Sequence, residues 1–391
     1  MEATSKLATL PDLKGQTTNP SFGVVMAAEK SKTPAYIYDI AKLRQNYKYF
    51  KNLFSRFRIF YSVKTNPLCE VVNTMHSMGS SFDAATIGEV TQLIDQKISA
   101  SEILFTHPVK SEATVLRALD LGIKLFTFDS LEEYLMLVKL VGPDVRLLLR
   151  ILPPCEGNFY EYSDKFGASD AEVRQIFEYA LKEGTRIDGV SFHVGSQNMS
   201  LKPWADTLKY CVSVFNSYYK VLDSFRILNI GSGFPHSYAI GSCPSLLDIS
   251  LCIDECTKTL PKDIEYWVEP GRVLVADTAS LVCSVIRNIK RKKNRWLFVN
   301  FGVYHGLIEI LESRGKMRYA IQTFKGGNMI NYNISGFTLD PDDTILENVA
   351  LPENLVPGDK LLIRDVGAYT ASFFTKYHGF EPPEFIFVDN S

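Results

Sequence analysis

The chain has 391 residues, of which 46% are hydrophobic and 22% charged, and its formal net charge is -2. That length exceeds one compact core, so two domains are expected, and the even mixture of acids and bases excludes a nucleic-acid or membrane surface as the working face. No apolar run reaches membrane-spanning length, and the opening MEATSKLATLPDLKGQTTNP lacks the apolar core of a signal peptide, so residues 1–22 are read as a polar, partly disordered lead-in.

The seven cysteines, Cys69, Cys155, Cys211, Cys243, Cys252, Cys256 and Cys283, form an odd and scattered set. Such a set in a large chain points to free thiols in a reducing, cytoplasmic compartment. Cys252 and Cys256 lie four apart on an expected helix and read as packing residues, because no second pair stands near to complete a zinc site. The six histidines are dispersed as well, so no metal is expected.

In chain order, TPAYIYDI (33–40) is a strand expected to join a second domain. From about residue 58 to residue 270 one rhythm repeats: a short β-branched or aromatic run, then a longer segment of helical period. The strand candidates are RIFYSVK (58–64), SSFDAAT (80–86), EILFTHP (102–108), KLFTFDS (124–130), VRLLLRI (145–151), GVSFHVG (189–195), RILNIGSGF (226–234) and EYWVEPGR (265–272). Between them, segments such as EVVNTMHSM and DAEVRQIFEYALKEG carry apolar residues at spacings of three and four, and several close on glycine, the expected helix stop. Eight strand–helix units in series predict a (β/α)8 TIM-like barrel over residues 40–278, with a doubly wound open sheet as the alternative. After Arg272 the segments VLVADTASLVCSVIRNIKR, RWLFVNFG, YNISGFTLDPDDTILEN, DKLLIRDVGAYT and EFIFVDN read as strands separated by turns. They predict an all-β second domain made of residues 23–39 plus 279–391.

Barrel chemistry sits at the C-terminal ends of the strands. Here those ends deliver Lys64, Asp83, His107, Asp129, Arg150, His193, Gly231 to Gly233, Glu269 and Arg272. A lysine at a barrel mouth serves as a base or as a Schiff-base former. If it holds pyridoxal phosphate, it needs a phosphate cradle and a group at the pyridine nitrogen. GSGFP (Gly231 to Pro235) offers glycines whose backbone can approach a phosphate, and EPGR (Glu269 to Arg272) offers a guanidinium for that phosphate and a carboxylate for the ring nitrogen. FHVGSQ places His193 where an imidazole can stack on a flat ring, and DVGAYT offers Tyr369. Taken singly, each motif is as readily a tight turn, a surface ion pair, a core histidine or a locally bonded tyrosine.

Together and in this order, YSVKTNP, FDAAT, the RI at Arg150, SDKFG, FHVGSQ, GSGFP, EPGR and GAYT resemble the fold-type III pyridoxal-phosphate decarboxylases: ornithine, lysine, arginine and diaminopimelate decarboxylases. The resemblance is closest to the ornithine/lysine branch. It implies a PLP-binding barrel with a β domain and a homodimer with shared active sites. Lys64 would form the Schiff base, Glu269 would hold the pyridine nitrogen and His193 would stack on the ring. Ser196, Gly231, Ser232, Gly233, Arg272 with Gly271 beside it, and Tyr369 would hold the phosphate, while Asp83 and Arg150 would lie around the ring and the lysine. Asp340, Asp343, Glu312 and Tyr377 are the residues expected at the substrate, with Asp340 also counted in the catalytic set beside Lys64, His193 and Glu269.

Two departures stand out. The family's Gly-Pro-Thr-Cys-Asp pattern is here Gly336-Phe337-Thr338-Leu339-Asp340, so a thiol has become a leucine that has no proton to give. Where ornithine enzymes carry a Tyr-Asp pair, this chain has Glu312 and Ser313 in LESR. The expected function is therefore PLP-dependent decarboxylation of an amino acid. The substrate is either a basic one such as ornithine or lysine, or a specialised amino-acid-containing intermediate. The alternatives are a non-catalytic decarboxylase-like regulator that binds a partner protein, and a PLP-dependent racemase.

Overall fold

The computed structural model describes residues 19–152 and 165–389. Most of the lead-in, Cys155, and Ser163 and Asp164 of SDKFG lie outside the described residues. The last residue of the expected lead-in, Phe22, instead opens a helix, Phe22–Lys30, whose N-terminus is capped by the Ser21 hydroxyl.

Eight parallel strands close into a barrel: β2 (Phe57–Ser62), β3 (Ser81–Ala84), β4 (Ile103–Phe105), β5 (Leu125–Phe128), β6 (Arg146–Arg150), β7 (Gly189–Ser191), β8 (Ile227–Asn229) and β9 (Glu265–Val268). Seven fall inside the sequence-predicted runs, and β2 starts one residue before its run, at Phe57. The open-sheet alternative is excluded by the pairing of β2 with β9, in which Phe57 faces Tyr266 and Ile59 faces Val268. The helices between strands form because their termini are capped locally. Thr86 with Glu89, Ser169 with Glu172 and Ser245 with Asp248 make reciprocal capping boxes that satisfy otherwise orphaned N–H groups.

Strand alternation explains where the polar tips point. Phe60, Leu104, Leu125, Leu148, Ile227 and Trp267 form one cluster that is separate from the main core and plugs the barrel interior. Two residues further along the same strands come Ser62, Thr106, Thr127, Arg150, Asn229 and Glu269. A period of two puts them on the same inward face, one layer nearer the mouth. The apolar plug therefore forms the floor of a polar chamber.

The second unit is one antiparallel-rich sheet of β1 (Ala35–Asp39) with β10 (Ala279–Arg291), β11 (Asn294–Val299), β12 (Ile321–Thr323), β13 (Met329–Ser335), β14 (Thr344–Pro352), β15 (Lys360–Arg364) and β16 (Glu384–Val388). β1 joins it, antiparallel to β10 and parallel to β16, as TPAYIYDI predicts. One predicted strand is partly helical. VLVADT opens as a short helix, Arg272–Val275, and a single 3-10 turn, Ala276–Thr278, because the chain must leave the barrel before it can pair with the sheet. Here tertiary connection overrides β-branched propensity.

Candidate active site

Lys64 stands just past the end of β2, in a single 3-10 turn, Val63–Thr65, and not in the strand as the sequence implies. The turn is locked from both sides. The Tyr61 hydroxyl donates to the Asn66 carbonyl at 3.0 Å, and the Asn66 side chain donates to the Gly367 carbonyl at 2.9 Å, tying barrel to sheet. Lys64 Nζ lies 3.9 Å from Asp83 Oδ2. Asp83 is buried, and both its oxygens are engaged: Ser62 Oγ donates to one at 2.7 Å and the Thr106 hydroxyl donates to the other. The Asp83 charge raises the Lys64 proton affinity above its ordinary value, against the opposing effect of burial.

Glu269 sits across the chamber. Asn229 Nδ2 donates to its Oε1 at 2.6 Å, and Asn229 Oδ1 accepts the Gly231 N–H at 2.9 Å. One amide side chain thus sets both the carboxyl and the start of the glycine loop. Burial first, and the nearby Asp83 second, push the Glu269 carboxyl up to about 7. His193 Nδ1 accepts the Gly195 N–H at 2.9 Å. Burial, with the positive charges of Arg150 and Lys64, lowers that imidazole to about 3, so it is a neutral, flat ring at neutral pH.

The glycine loop is a place where side chains do not fit. A Cβ on Gly231, whose φ is +60°, would fall 1.7 Å from the Phe192 carbonyl oxygen, and one on Gly271 would fall 2.2 Å from Thr65 Oγ1. Arg272 is buried beside this loop. Its Nη1 donates to the Tyr238 hydroxyl at 2.9 Å and its Nη2 to Ser196 Oγ at 3.2 Å, while its Nε is buried with no hydrogen-bond partner among the described residues. The Arg272 guanidinium also lies 4.7 Å from the centroid of the Tyr369 ring. Tyr369 is brought there by its own N–H, which donates to the Thr65 carbonyl at 2.9 Å.

Sequence reasoning missed Glu309. Its carboxylate pairs bidentately with Arg272 at 2.5 and 2.8 Å, and both side chains are only 4% exposed. The available signal was a single acid inside the apolar run HGLIEIL. Asn229, Thr106 and Tyr238 were missed too, since an asparagine or threonine at a strand end and a tyrosine in the loop after β8 carry no chemistry until their partners are known.

The residues expected at the substrate divide. Asp343 is a correction: it is fully buried, with Val303 N–H donating to one oxygen at 2.8 Å and the Thr338 N–H and hydroxyl donating to the other at 3.1 and 2.6 Å. It holds two loops together and has no oxygen left to offer a ligand. Asp340 is half-buried and accepts the Asp342 N–H at 2.9 Å. Burial first, and the negative charge of the neighbouring Asp340 with it, push the Tyr304 hydroxyl up to about 12. The Tyr377 ring meets Tyr304 at 5.1 Å, so Asp340 and Tyr377 are brought together through a tyrosine the sequence did not single out. Glu312 is exposed at the end of the short helix Glu309–Glu312, and Ser313 is buried with its hydroxyl taken by the Ile310 carbonyl and the Met317 N–H. Leu339 is 92% exposed.

The mouth is shaped for a flat, anionic, aldehyde-bearing group. Its glycine-lined cradle, the partnerless Arg272 Nε and the neutral His193 plane all fit pyridoxal phosphate, and the class is that of the barrel pyridoxal-phosphate enzymes. The family described as pyridoxal-dependent decarboxylase, pyridoxal binding domain, matches residues 40–276, and the chain belongs to that family of amino acid decarboxylases. Among its relatives, the lysine/ornithine decarboxylase of Selenomonas ruminantium is 29% identical over 93% of this chain and 91% of its own length. Decarboxylase flvG of Aspergillus flavus is 29% identical over 97% of this chain and 94% of its own length. The crystal structure of the Vibrio vulnificus lysine/ornithine decarboxylase complexed with cadaverine is 31% identical, covers 94% of this chain and 97% of that one, and superposes with a TM-score of 0.85. These comparisons favour neither the regulator nor the racemase reading. No helix among the described residues is long and apolar enough to cross a membrane.

Proposed function

We propose that the protein removes the α-carboxylate of a basic or distally cationic amino acid as CO2 and releases the corresponding amine. The barrel, residues 40–278, would be the cofactor-binding unit, and residues 23–39 plus 279–391 the unit that reads the rest of the substrate. Pyridoxal phosphate supplies the electron sink for the electrons left behind by the carboxylate. The observation that carries the reading is the chamber in which Lys64, Asp83 and Glu269 face one another above the apolar plug.

In this reading Lys64 Nζ is the attachment point. Asp83, fixed by Ser62 and Thr106, keeps a positive charge on that nitrogen favourable. Glu269 holds a proton at the ring nitrogen, and Asn229 fixes its direction. His193 covers one face of the ring. Gly231, Ser232, Gly233, Ser196, Gly271, Arg272 and Tyr369 bind the phosphate, and Glu309 holds the Arg272 fork in place. Arg150 keeps the chamber positive. Leu339 carries no transferable proton, so the Lys64 amine would be the group that returns a proton to Cα.

A homodimer belongs to the same proposal. The apolar side chains of Phe337 and Leu339 and the Tyr377 ring are 57%, 92% and 43% exposed in one protomer, a surface that a second copy would cover. It would also place Asp340, Tyr304 and Tyr377 of one protomer against the chamber of its partner. The free thiols Cys69, Cys211, Cys243, Cys252, Cys256 and Cys283 fit a cytoplasmic location.

The test is product analysis by mass spectrometry after incubation with pyridoxal phosphate and L-ornithine, L-lysine, L-arginine or diaminopimelate. An amine one CO2 lighter than its amino acid supports the reading. Return of the amino acid racemised, with no loss of CO2, contradicts it.

A further inference from the structure

We infer that Glu309 cancels the positive charge of the phosphate cradle, so that the cradle holds its phosphate ester as the monoanion, with one proton retained. The inference rests on the reading of this mouth as the pyridoxal-phosphate site, and it concerns the charge state in which that group is held.

The first argument is how Arg272 is spent. A guanidinium has five N–H groups. Four are committed: Nη1 donates to the Tyr238 hydroxyl at 2.9 Å and to Glu309 Oε2 at 2.8 Å, and Nη2 donates to Ser196 Oγ at 3.2 Å and to Glu309 Oε1 at 2.5 Å. Glu309 therefore caps the end of the fork. The edge left for a ligand is that of Nε and Nη2, where Nε is buried without a partner and Nη2 makes its longest bond. This edge gives a phosphate direction, but the Arg272–Glu309 pair it belongs to sums to no charge. The rest of the cradle, Gly231, Ser232, Gly233, Gly271, Ser196 and Tyr369, offers neutral donors.

The second argument is that no neighbour among the described residues restores the lost charge. Tyr238 keeps its proton, since burial raises it well above the ordinary range. His236 packs on Tyr238 at 4.8 Å, but its Nε2 lies 3.7 Å from Asp365, so that pair brings no surplus. Glu312, on the same short helix as Glu309, is a further acid. In the chamber, Lys64 faces Asp83 at 3.9 Å, and Arg150 acts on Glu269. A dianion buried beside a pair of zero charge is unfavourable, and such a group escapes the cost by keeping a proton. Glu309 cannot turn to water, because it and Arg272 are each 4% exposed. The proton goes to the phosphate, whose second ionisation ordinarily falls at about 6, rather than to a carboxylate of ordinary value about 4.3 that is held by a guanidinium.

The experiment uses the full chain freed of cofactor and pyridoxine 5′-phosphate, which has no aldehyde to react with Lys64. Phosphorus NMR of the bound ester is followed from pH 6 to pH 9, and affinity is measured by calorimetry over the same range in phosphate-free buffer. The bound resonance is expected at the monoanion position at pH 8, where the free ester is a dianion. Affinity should fall about tenfold per pH unit above pH 7, as binding of the minor protonated form requires. Glu309→Gln, which leaves the Arg272 charge uncancelled, should move the bound resonance to the dianion position at pH 8 and bind about tenfold more tightly there. A dianion resonance in the unmodified protein at pH 8 overturns the inference and leaves the cofactor reading standing. So does a folded Glu309→Gln protein that keeps the monoanion resonance. If that variant does not fold, the resonance and the pH slope of the unmodified protein decide alone. Absence of any binding of pyridoxine 5′-phosphate sinks the inference and the cofactor reading together. A monoanion resonance without amine release from any amino acid supports the inference and counts against the decarboxylase reading alone.

Discussion

The barrel mouth and the loops around Gly336–Asp343 and Ala371–Phe380 are built on opposite principles. At the mouth, polar side chains are held by one another: Asp83 by Ser62 and Thr106, Glu269 by Asn229, Arg272 by Glu309, Ser196 and Tyr238. In the loops, Phe337, Leu339 and Tyr377 project with large exposed areas, while the buried Asp343 fixes the backbone beneath the first loop and Thr375 ties the second to the Tyr304 carbonyl. The difference separates two tasks. A rigid chamber sets the chemistry that a whole family can share, and an adaptable apolar rim sets which amino acid enters. Substitutions in the two regions should therefore fail in different ways.

The largest effect belongs to Lys64. Lys64→Ala should lower kcat by about a thousandfold or more, as loss of a nucleophile and proton carrier does, while the thermal midpoint stays close to that of the parent protein. Glu269→Gln comes next, with a fall in kcat of roughly a hundredfold and little change in KM, because its charge matters as the reaction proceeds rather than on binding. Both are checked by steady-state kinetics with whichever amino acid the product assay identifies.

The third prediction turns the comparison on two neighbouring aspartates. Asp343→Asn removes charge-assisted bonds from a fully buried site, each worth about 1.5–3 kcal/mol, and should lower the thermal midpoint by roughly 5 °C. Asp340→Asn should leave the midpoint within about 1 °C and raise KM instead. Equal losses of stability would erase the distinction between frame and rim.

The smallest effect is the pH dependence of the cofactor-free protein. The Glu269 carboxyl is raised from 4.5 to about 7 on folding, so its contribution to stability is full below 4.5 and is lost as pH rises through 7. His193 is lowered from 6.5 to about 3, so its contribution is full above 6.5 and is lost as pH falls through 3. Melting curves across this range should show Glu269→Gln flattening the loss on the neutral side and His193→Asn flattening it on the acid side, each by a few degrees at most.

Much of the frame was legible in the sequence because its pattern is local. Each barrel strand lies in a short apolar or aromatic run with a polar residue near its end, and a segment of helical period follows, so that rhythm places all eight strands. The tips Lys64, Asp83, His193, Glu269 and Arg272 followed from that placement. What the sequence hid was partnership across distance. Glu309 is 37 residues beyond Arg272 and looks like a stray acid in an apolar helix until the fold joins them. Asp340 and Asp343 look alike in LDPDD, and only burial tells the loop's fully buried anchor from the half-buried group beside Tyr304. β12 was overlooked because three residues, Ile321–Thr323, carry no period.

The most direct test of the central claim is reduction of the pyridoxal-phosphate-loaded protein with borohydride, followed by digestion and peptide mass analysis. Our account predicts one phosphopyridoxyl group per chain, on the peptide that contains Lys64. A stoichiometric adduct on any other lysine, or none under conditions where the cofactor binds, would contradict it.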